Sequence, residues 1–240
     1  MRSCGPRSDL KGEAETPEAS RRGGRRAEPR SPEEKRPPRG RRILVATRSA
    51  DKLNELRGLL GGKGLALVSL TDIGVRPGAE EASIEVFDSF AENARAKARH
   101  FHARTGLPTL ADDSGLCVAA LRGAPGVRSR RFAPDEWSER LGRDAANNAY
   151  LLERLEGVPA DRRAAHYRCA LVLVDGSRTA VAEGVVHGRI AEEPRGEGGF
   201  GYDPLFVVPE YGKTFGELPP EVKARLSHRA RAARALRAEL

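Results

Sequence analysis

Two adjacent carboxylates, followed by a serine and a glycine, are the residues of this chain best suited to chemistry. Asp112 and Asp113 come after a short apolar run, and Ser114 and Gly115 follow them. Mg²⁺ prefers oxygen ligands and keeps several waters, so paired acids at the end of a strand would suit that ion and a phosphate beside it. Asp, Ser and Gly also dominate plain turns, so this stretch by itself fits a turn after a strand equally well.

A phosphate-binding segment is predicted where the first helix begins. Residues 43–46 indicate a buried strand, and the leucine spacing over 51–60 indicates a helix with one apolar face. Free N–H groups at a helix start attract phosphate, and hydroxyls and a cation strengthen that attraction. The segment consists of Thr47, Arg48, Ser49, Ala50, Asp51 and Lys52. Ordinary capping of the helix by Ser49 or Asp51 is the alternative explanation.

A further carboxylate, Glu85, lies ahead of the helix predicted at residues 89–105. Ser89 and Glu92 have the spacing of a capping box, so we expect Glu92 and Asn93 to serve the helix rather than chemistry. Glu85 has no such structural reason and stays a candidate for the site.

The glycine-rich segment at residues 196–204 suits a flat ligand. It has the Gly-x-Gly-x-x-Gly spacing of dinucleotide loops, but such a loop must open a helix, and Pro204 with an apolar run follows instead. Phe200 or Tyr202 could stack on a base between these glycines. A flexible surface loop is the alternative.

Three donors gather where two C-terminal helices are predicted, at residues 220–226 and 227–240. Lys223, His228 and Arg229 suit an acceptor oxygen on a base, or a phosphate. A basic amphipathic helix would have the same composition. The arginines at 128, 130 and 131, which follow a Pro-Gly turn, are mostly expected to face water.

The remaining pattern predicts a mixed α/β domain. Strands are expected at residues 65–70, 107–111 and 205–208, and a long helix at 136–155. Residues 165–174 and 179–190 indicate a hairpin, because Asp175-Gly176-Ser177 separates them. Early alternation of strands and helices followed by a hairpin favours a mixed sheet over a purely parallel one.

Composition divides the 240 residues into a tail and one domain. Residues 1–42 contain few large apolar side chains and carry a net charge of +6, whereas the whole chain carries +8. We therefore predict a disordered basic extension over 1–42, without a signal peptide, and a domain over 43–240 with little net charge. No apolar run could span a membrane, and the three cysteines are too few for a disulfide framework, which suits a reducing cytosol.

Five motifs, in this order, resemble the inosine/xanthosine triphosphate pyrophosphatases, which hydrolyse non-standard purine nucleoside triphosphates. They are Ser89-Phe-Ala-Glu-Asn-Ala94, Ala111-Asp-Asp-Ser-Gly-Leu116, Gly123-Ala-Pro-Gly126, Gly199-Phe-Gly-Tyr-Asp-Pro204 and Ser227-His-Arg229. The resemblance covers residues 43–240. It implies an α/β fold with an elongated mixed sheet, flanking helices and two lobes with the active-site cleft between them.

The resemblance also implies roles for individual residues. Asp113 would be the proton acceptor and, with Glu85, a ligand of the cofactor Mg²⁺. Residues 47–52 would contact phosphate. The other implied substrate contacts are Ser114, Phe200, Gly201, Tyr202, Asp203, Lys223, His228 and Arg229. XTP, ITP and dITP would be the substrates of a cytoplasmic homodimer with no membrane or stable nucleic-acid partner.

Two positions depart from the family pattern, and two rival functions stay open. The family's first loop reads Thr-Gly-Asn where this chain has Thr47-Arg48-Ser49, and Arg130 replaces a small residue. A related pyrophosphatase acting on modified pyrimidines or other purines is one rival. A nucleic-acid-binding protein using the tail and last helix is the other, and the low net charge of residues 43–240 disfavours it.

Overall fold

A computed structural model of the chain describes residues 40–62 and 64–239. The predicted tail therefore lies outside the described residues, except for its last three positions. Of these, Arg41 and Arg42 belong to the first strand, which begins two residues earlier than predicted.

Seven strands form one mixed sheet, which confirms the predicted fold class. Its order is β2-β1-β3-β4-β5-β6-β7. β1 pairs in parallel with β2 and β3, and every later pairing is antiparallel. The strands are β1 (Arg41–Val45), β2 (Leu65–Ser69), β3 (Thr109–Val118), β4 (Ala164–Asp175), β5 (Arg178–Ile190), β6 (Phe206–Val208) and β7 (Lys213–Thr214).

The helices flank this sheet, and one prediction among them was wrong. Residues 136–155 form two helices rather than one, because Gly142 between them has φ 79°, a left-handed conformation that interrupts a helix. The α-helices are α1 (Ala50–Leu60), α2 (Phe90–Thr105), α3 (Asp135–Leu141), α4 (Arg143–Arg154), α5 (Pro220–Leu226) and α6 (His228–Arg237). Short 3₁₀ helices occupy Ala79–Ser83, Ala119–Leu121, Gly126–Arg131 and Ala160–Arg162.

The acidic pair lies inside β3, which corrects the prediction of a strand end before a turn. β3 continues past Ser114 and pairs with β4 as far as Val118. Gly115 serves close packing instead: a Cβ there would come within 2.4 Å of the carbonyl oxygen of Gly126 and of the Ser129 hydroxyl. The pair is therefore held on a rigid, hydrogen-bonded strand rather than on a loop.

Three clusters of buried apolar side chains form the core. The site cleft borders two of them: Tyr167 and Tyr202 belong to one, and Ala46 and Leu70 to the other. This placement agrees with a cleft between two lobes. Within the part of the chain that the structure describes, no helix is long and apolar enough to cross a membrane.

Candidate functional site

One cleft of about 400 Å³ brings together every residue that the family resemblance assigns to the site. Asp112, the other member of the acidic pair, does not line it. Its lining includes the start of α1, the middle of β3, the loop after Gly199 and the junction of α5 and α6. The predicted residues that line it are Thr47, Arg48, Ser49, Ala50, Asp51, Lys52, Glu85, Asp113, Ser114, Phe200, Gly201, Tyr202, Asp203, Lys223, His228 and Arg229. Their roles in binding and catalysis stay predictions.

The start of α1 is capped by Ser49 and places the Lys52 side chain at the cleft. The Ser49 hydroxyl accepts from the Lys52 backbone N–H at 3.3 Å, and the Thr47 hydroxyl accepts from the Ser49 N–H at 3.1 Å. The capping explanation is therefore correct for Ser49. Lys52 points its ammonium group to Asp112, 2.5 Å away. The segment presents a helix N-terminus and a lysine to the cleft, which suits a polyanion.

Asp113 is a buried carboxylate in an environment that resists its charge. Its Oδ2 accepts from the Asn93 amide at 3.1 Å, and its Oδ1 from the Ser114 N–H at 3.1 Å. Burial raises the pKa of Asp113 to about 6; repulsion from Glu85 and Asp112 adds to the rise, whereas Lys52 and Lys97 oppose it. A carboxylate poised near neutral pH suits the acceptance of a proton.

Glu85 faces the same cleft and is paired with Lys97 of α2. Burial opposes ionisation of Glu85, but the charge and hydrogen bond of Lys97, together with the charges of Lys52 and Arg131, outweigh burial and lower the pKa of Glu85. Lys97 also donates to the backbone oxygen of Asp112 at 2.9 Å. The lysine thus connects the strand of the acidic pair to the second carboxylate.

Asn93 does more than the helix-start role predicted for it. Its side chain accepts from the Phe87 N–H and donates to the Phe87 carbonyl, both at 2.9 Å, and so fastens the loop that precedes α2. The same amide donates to Asp113. Asn93 therefore orients the carboxylate that is predicted to be catalytic.

The donor set of the cleft fits a hard divalent cation. Asp113 and Glu85 supply carboxylate oxygens, and their mutual repulsion would be relieved by a bound cation. Over residues 40–62 and 64–239, no three His, Cys, Asp or Glu side chains are grouped closely enough to hold a metal by themselves. Two carboxylates with remaining positions for water and phosphate oxygens are the pattern Mg²⁺ tolerates well.

A buried ion network, which the sequence did not predict, underlies the cleft. Asp112 accepts from the Arg229 Nε at 2.9 Å and from Lys52, and these two cations outweigh burial and hold the pKa of Asp112 well below its usual range. Glu55 on α1 binds both Arg229 and Lys223. Its position three residues after Lys52, on the same side of the helix, was the available signal.

Lys223 and Arg229, both predicted base contacts, are already engaged with protein partners. The Lys223 ammonium lies 2.6 Å from Asp203 and 2.8 Å from Glu55. Arg229 is 1% exposed, and besides its two carboxylates it donates to the Ser114 hydroxyl at 2.9 Å. Both side chains therefore hold the cleft in shape, whatever they contribute to a ligand.

His228 is buried in a neutral form. Its ring stacks on Tyr167 with 4.7 Å between centroids, and burial holds the pKa of His228 well below its usual range. Its Nδ1 is buried, and no atom of residues 40–62 and 64–239 forms a hydrogen bond with it. A neutral imidazole has one donor and one acceptor nitrogen, so His228 can complement a polar ligand atom of either kind.

The two aromatic side chains of the glycine-rich loop, Phe200 and Tyr202, lie in different surroundings. Tyr202 is buried, and its hydroxyl donates to the Ser129 carbonyl at 2.8 Å, so it packs the core rather than offering a free stacking face. Phe200 lines the cleft, with the Lys223 ammonium 4.2 Å from its ring centroid. Its N–H donates to Asp203 at 2.8 Å. Phe200 is therefore the better candidate for stacking on a base.

Comparison with known proteins gives consistent matches over the whole domain. The sequence model of the Ham1 family matches residues 43–239. A dITP/XTP pyrophosphatase of Geobacillus kaustophilus is 47% identical, covering 79% of this chain and 89% of the relative. One from Mycolicibacterium paratuberculosis is 51% identical, covering 81% and 93%.

Solved structures agree with these sequence matches. The Staphylococcus aureus Ham1 protein superposes with a TM-score of 0.71 at 32% identity, covering 82% of this chain and 97% of that one. The nucleoside-triphosphatase, or dITP/XTP pyrophosphatase, of Mycobacterium abscessus gives a TM-score of 0.63 at 46% identity, covering 83% and 98%. With a match over residues 43–239 and relatives near 50% identity, the chain belongs to the Ham1 family.

Proposed function

We propose that this protein hydrolyses the non-standard purine nucleoside triphosphates XTP, ITP and dITP to the monophosphate and pyrophosphate, so removing them from the nucleotide pool. The observation that carries the proposal is the cleft itself: a buried carboxylate with a pKa of about 6 lies between a cationic helix start and an aromatic loop. The names of relatives near 50% identity support the same activity.

Asp113 is the proposed general base. Its carboxylate orients a water and takes a proton as the water attacks the α-phosphorus, and pyrophosphate leaves. Asn93 and the Ser114 N–H fix the carboxylate from two sides at 3.1 Å. A base held in this way loses little freedom when the water binds, and orientation is a large part of such catalysis.

Asp113 and Glu85 are the residues that would hold Mg²⁺. The bound ion would supply positive charge against the phosphate oxygens. Lys52, with the N–H groups at the start of α1, neutralises charge on the phosphate chain from the protein side. Lys97 keeps Glu85 ionised and facing the cleft.

Base choice is assigned to the junction of α5 and α6. Lys223 and Arg229 present only donors, and Phe200 offers a stacking face beside them. Their bonds to Glu55, Asp203, Asp112 and Ser114 use two of the three N–H groups of Lys223 and three of the five of Arg229. A 6-oxo group can accept from the remaining N–H groups, whereas the 6-amino group of adenine is itself a donor and would leave them unpaired. Each such group costs about 1–3 kcal/mol.

Magnesium dependence, the homodimer and the cytoplasmic location are parts of the same proposal. Light scattering after size exclusion measures the oligomeric state, and activity after chelation and repletion measures the metal requirement.

The deciding experiment compares kcat/KM for ITP, dITP, XTP, GTP, ATP and dUTP with pyrophosphate detection. ITP and XTP are expected to exceed ATP by orders of magnitude, as sites that pair one polar group can achieve. Hydrolysis in ¹⁸O-labelled water should place the label in the monophosphate. Equal values for ITP and ATP would refute the base assignment, and label in the pyrophosphate would refute attack at the α-phosphorus.

A further inference from the structure

Arg48 makes a three-point contact with one wall of the cleft. Its Nε and Nη2 donate to the two carboxylate oxygens of Glu81, at 3.1 and 2.6 Å, and its Nη1 donates to the carbonyl of Val75 at 2.9 Å. A single exposed ion pair adds little stability. A bidentate pair with a further backbone contact fixes direction as well as distance.

The wall that Arg48 contacts leads directly to Glu85. Residues 75–85 follow the turn after β2, pass through the 3₁₀ helix Ala79–Ser83 and reach Glu85 four residues after Glu81. Glu81, Ile84 and Glu85 all line the cleft. A separate exposed pair, between Arg104 of α2 and Glu80, also holds the same 3₁₀ helix.

We propose that Arg48 is a positioning residue for the metal site: it clamps residues 75–85 and so sets where Glu85 stands relative to Asp113. The inference rests on the proposed function, in which Glu85 and Asp113 hold the cation. It assigns Arg48 to the cleft wall rather than to direct contact with phosphate. All three guanidinium nitrogens have protein partners, which supports that assignment.

Loss of the Arg48 clamp is expected to weaken metal binding, while the rate of the chemical step at saturating metal stays close to that of the wild type. Glu85 would keep its partner Lys97 but lose the fixed path of the chain leading to it. Residues that orient metal ligands typically change affinity on the order of 10–100-fold when removed. Lysine at position 48 would keep the positive charge but could not form the bidentate bond of the planar guanidinium to Glu81, so the lysine variant should behave like the alanine variant.

The test uses the full chain with Arg48→Ala, Arg48→Lys and Glu81→Gln. The matched control is Arg168→Ala, which breaks an exposed ion pair with Glu183 on β4 and β5, away from residues 75–85. Two readouts need no substrate. The first is amide hydrogen exchange over residues 75–87 in metal-free protein. The second is Mn²⁺ binding followed by electron paramagnetic resonance. The clamp variants should exchange faster over this segment and bind Mn²⁺ about tenfold more weakly, whereas Arg168→Ala should match the wild type in both measurements.

Steady-state kinetics separate positioning from substrate contact. With the clamp lost, the Mg²⁺ concentration for half-maximal rate should rise, and kcat at saturating Mg²⁺ should recover. If Arg48→Ala raises KM while Arg48→Lys restores it, and neither exchange nor Mn²⁺ affinity changes, Arg48 contacts phosphate and the inference is overturned. Because hydrogen exchange needs no turnover, a wild type without pyrophosphatase activity would defeat the proposed function alone.

Discussion

Replacing Asp113 by asparagine is expected to stabilise the metal-free protein while abolishing hydrolysis. The folded state raises the pKa of Asp113 from 3.8 to about 6, so above pH 6 it bears a charge that burial and two neighbouring carboxylates oppose. That rise corresponds to about 3 kcal/mol of lost stability. Asparagine keeps one acceptor oxygen, so one of the two hydrogen bonds is lost, at about 1 kcal/mol. The expected net gain is about 2 kcal/mol.

The difference in the free energy of unfolding between Asp113→Asn and the wild type is expected to change with pH in one direction. Between pH 3.8 and about 6 the folded wild type binds more protons at Asp113 than the unfolded chain does, so its stability falls as pH rises through that window. The Asp113→Asn variant lacks this dependence. Its advantage should therefore be full above pH 6 and shrink as pH falls towards 4.

Urea unfolding in chelator at a series of pH values measures the effect. Asp72→Asn is a control of opposite sign, because its bonds to Ser69 and its pairing with Arg57 lower the pKa of Asp72. Mg²⁺ should stabilise the wild type and not the Asp113→Asn variant, since a ligand stabilises only the state that binds it. A variant less stable than wild type at pH 7.5 without metal, or a difference independent of pH, would refute the reasoning.

Three further changes test other parts of the structure. Asn147→Ala should lower the free energy of unfolding by about 2 kcal/mol, because its buried amide accepts from the N–H groups of Phe132 and Ala133; urea titration checks this. Arg229→Met leaves Asp112 buried without its main cation and should cost about 3–5 kcal/mol, so thermal melts must accompany its kinetics. Removing residues 1–39 should leave kcat/KM and Tm unchanged, since the family match begins at residue 43; a fall in either would show that the tail supports the domain.

The parts of the fold that depend on nearby residues were predictable from sequence. Ser49 and Ser89 cap α1 and α2 through bonds to backbone three residues on. The hairpin of β4 and β5 turns where Asp175-Gly176-Ser177 predicts it. In each case the chemistry that decides the structure lies within a few residues, so a short window contains it.

The parts that depend on distant partners were not predictable in the same way. Gly115 looks like a turn residue, yet its neighbour in space is Ser129, and that packing keeps β3 extended. Glu55 looks like a solvent-facing residue of α1 until Arg229 and Lys223 are brought to it by the sheet. The motifs indicated which residues share the cleft, but which carboxylate is paired and which is left for chemistry follows only from the assembled fold.

The ion network around Asp112 joins residues that are far apart in the sequence, and this has a consequence for biosynthesis. Arg229 lies 117 residues after Asp112 and 174 after Glu55 along the chain. While α6 is still unmade, Asp112 on β3 has no contact with its principal counter-charge, and burial of its carboxylate is therefore opposed. Contacts between residues this far apart in the sequence form late in folding, because the entropy cost of closing the intervening chain must be met before the contact adds any stability. The cleft is therefore expected to reach its final form only after α6 has been made and has packed against the sheet, so activity would report on the docking of α6.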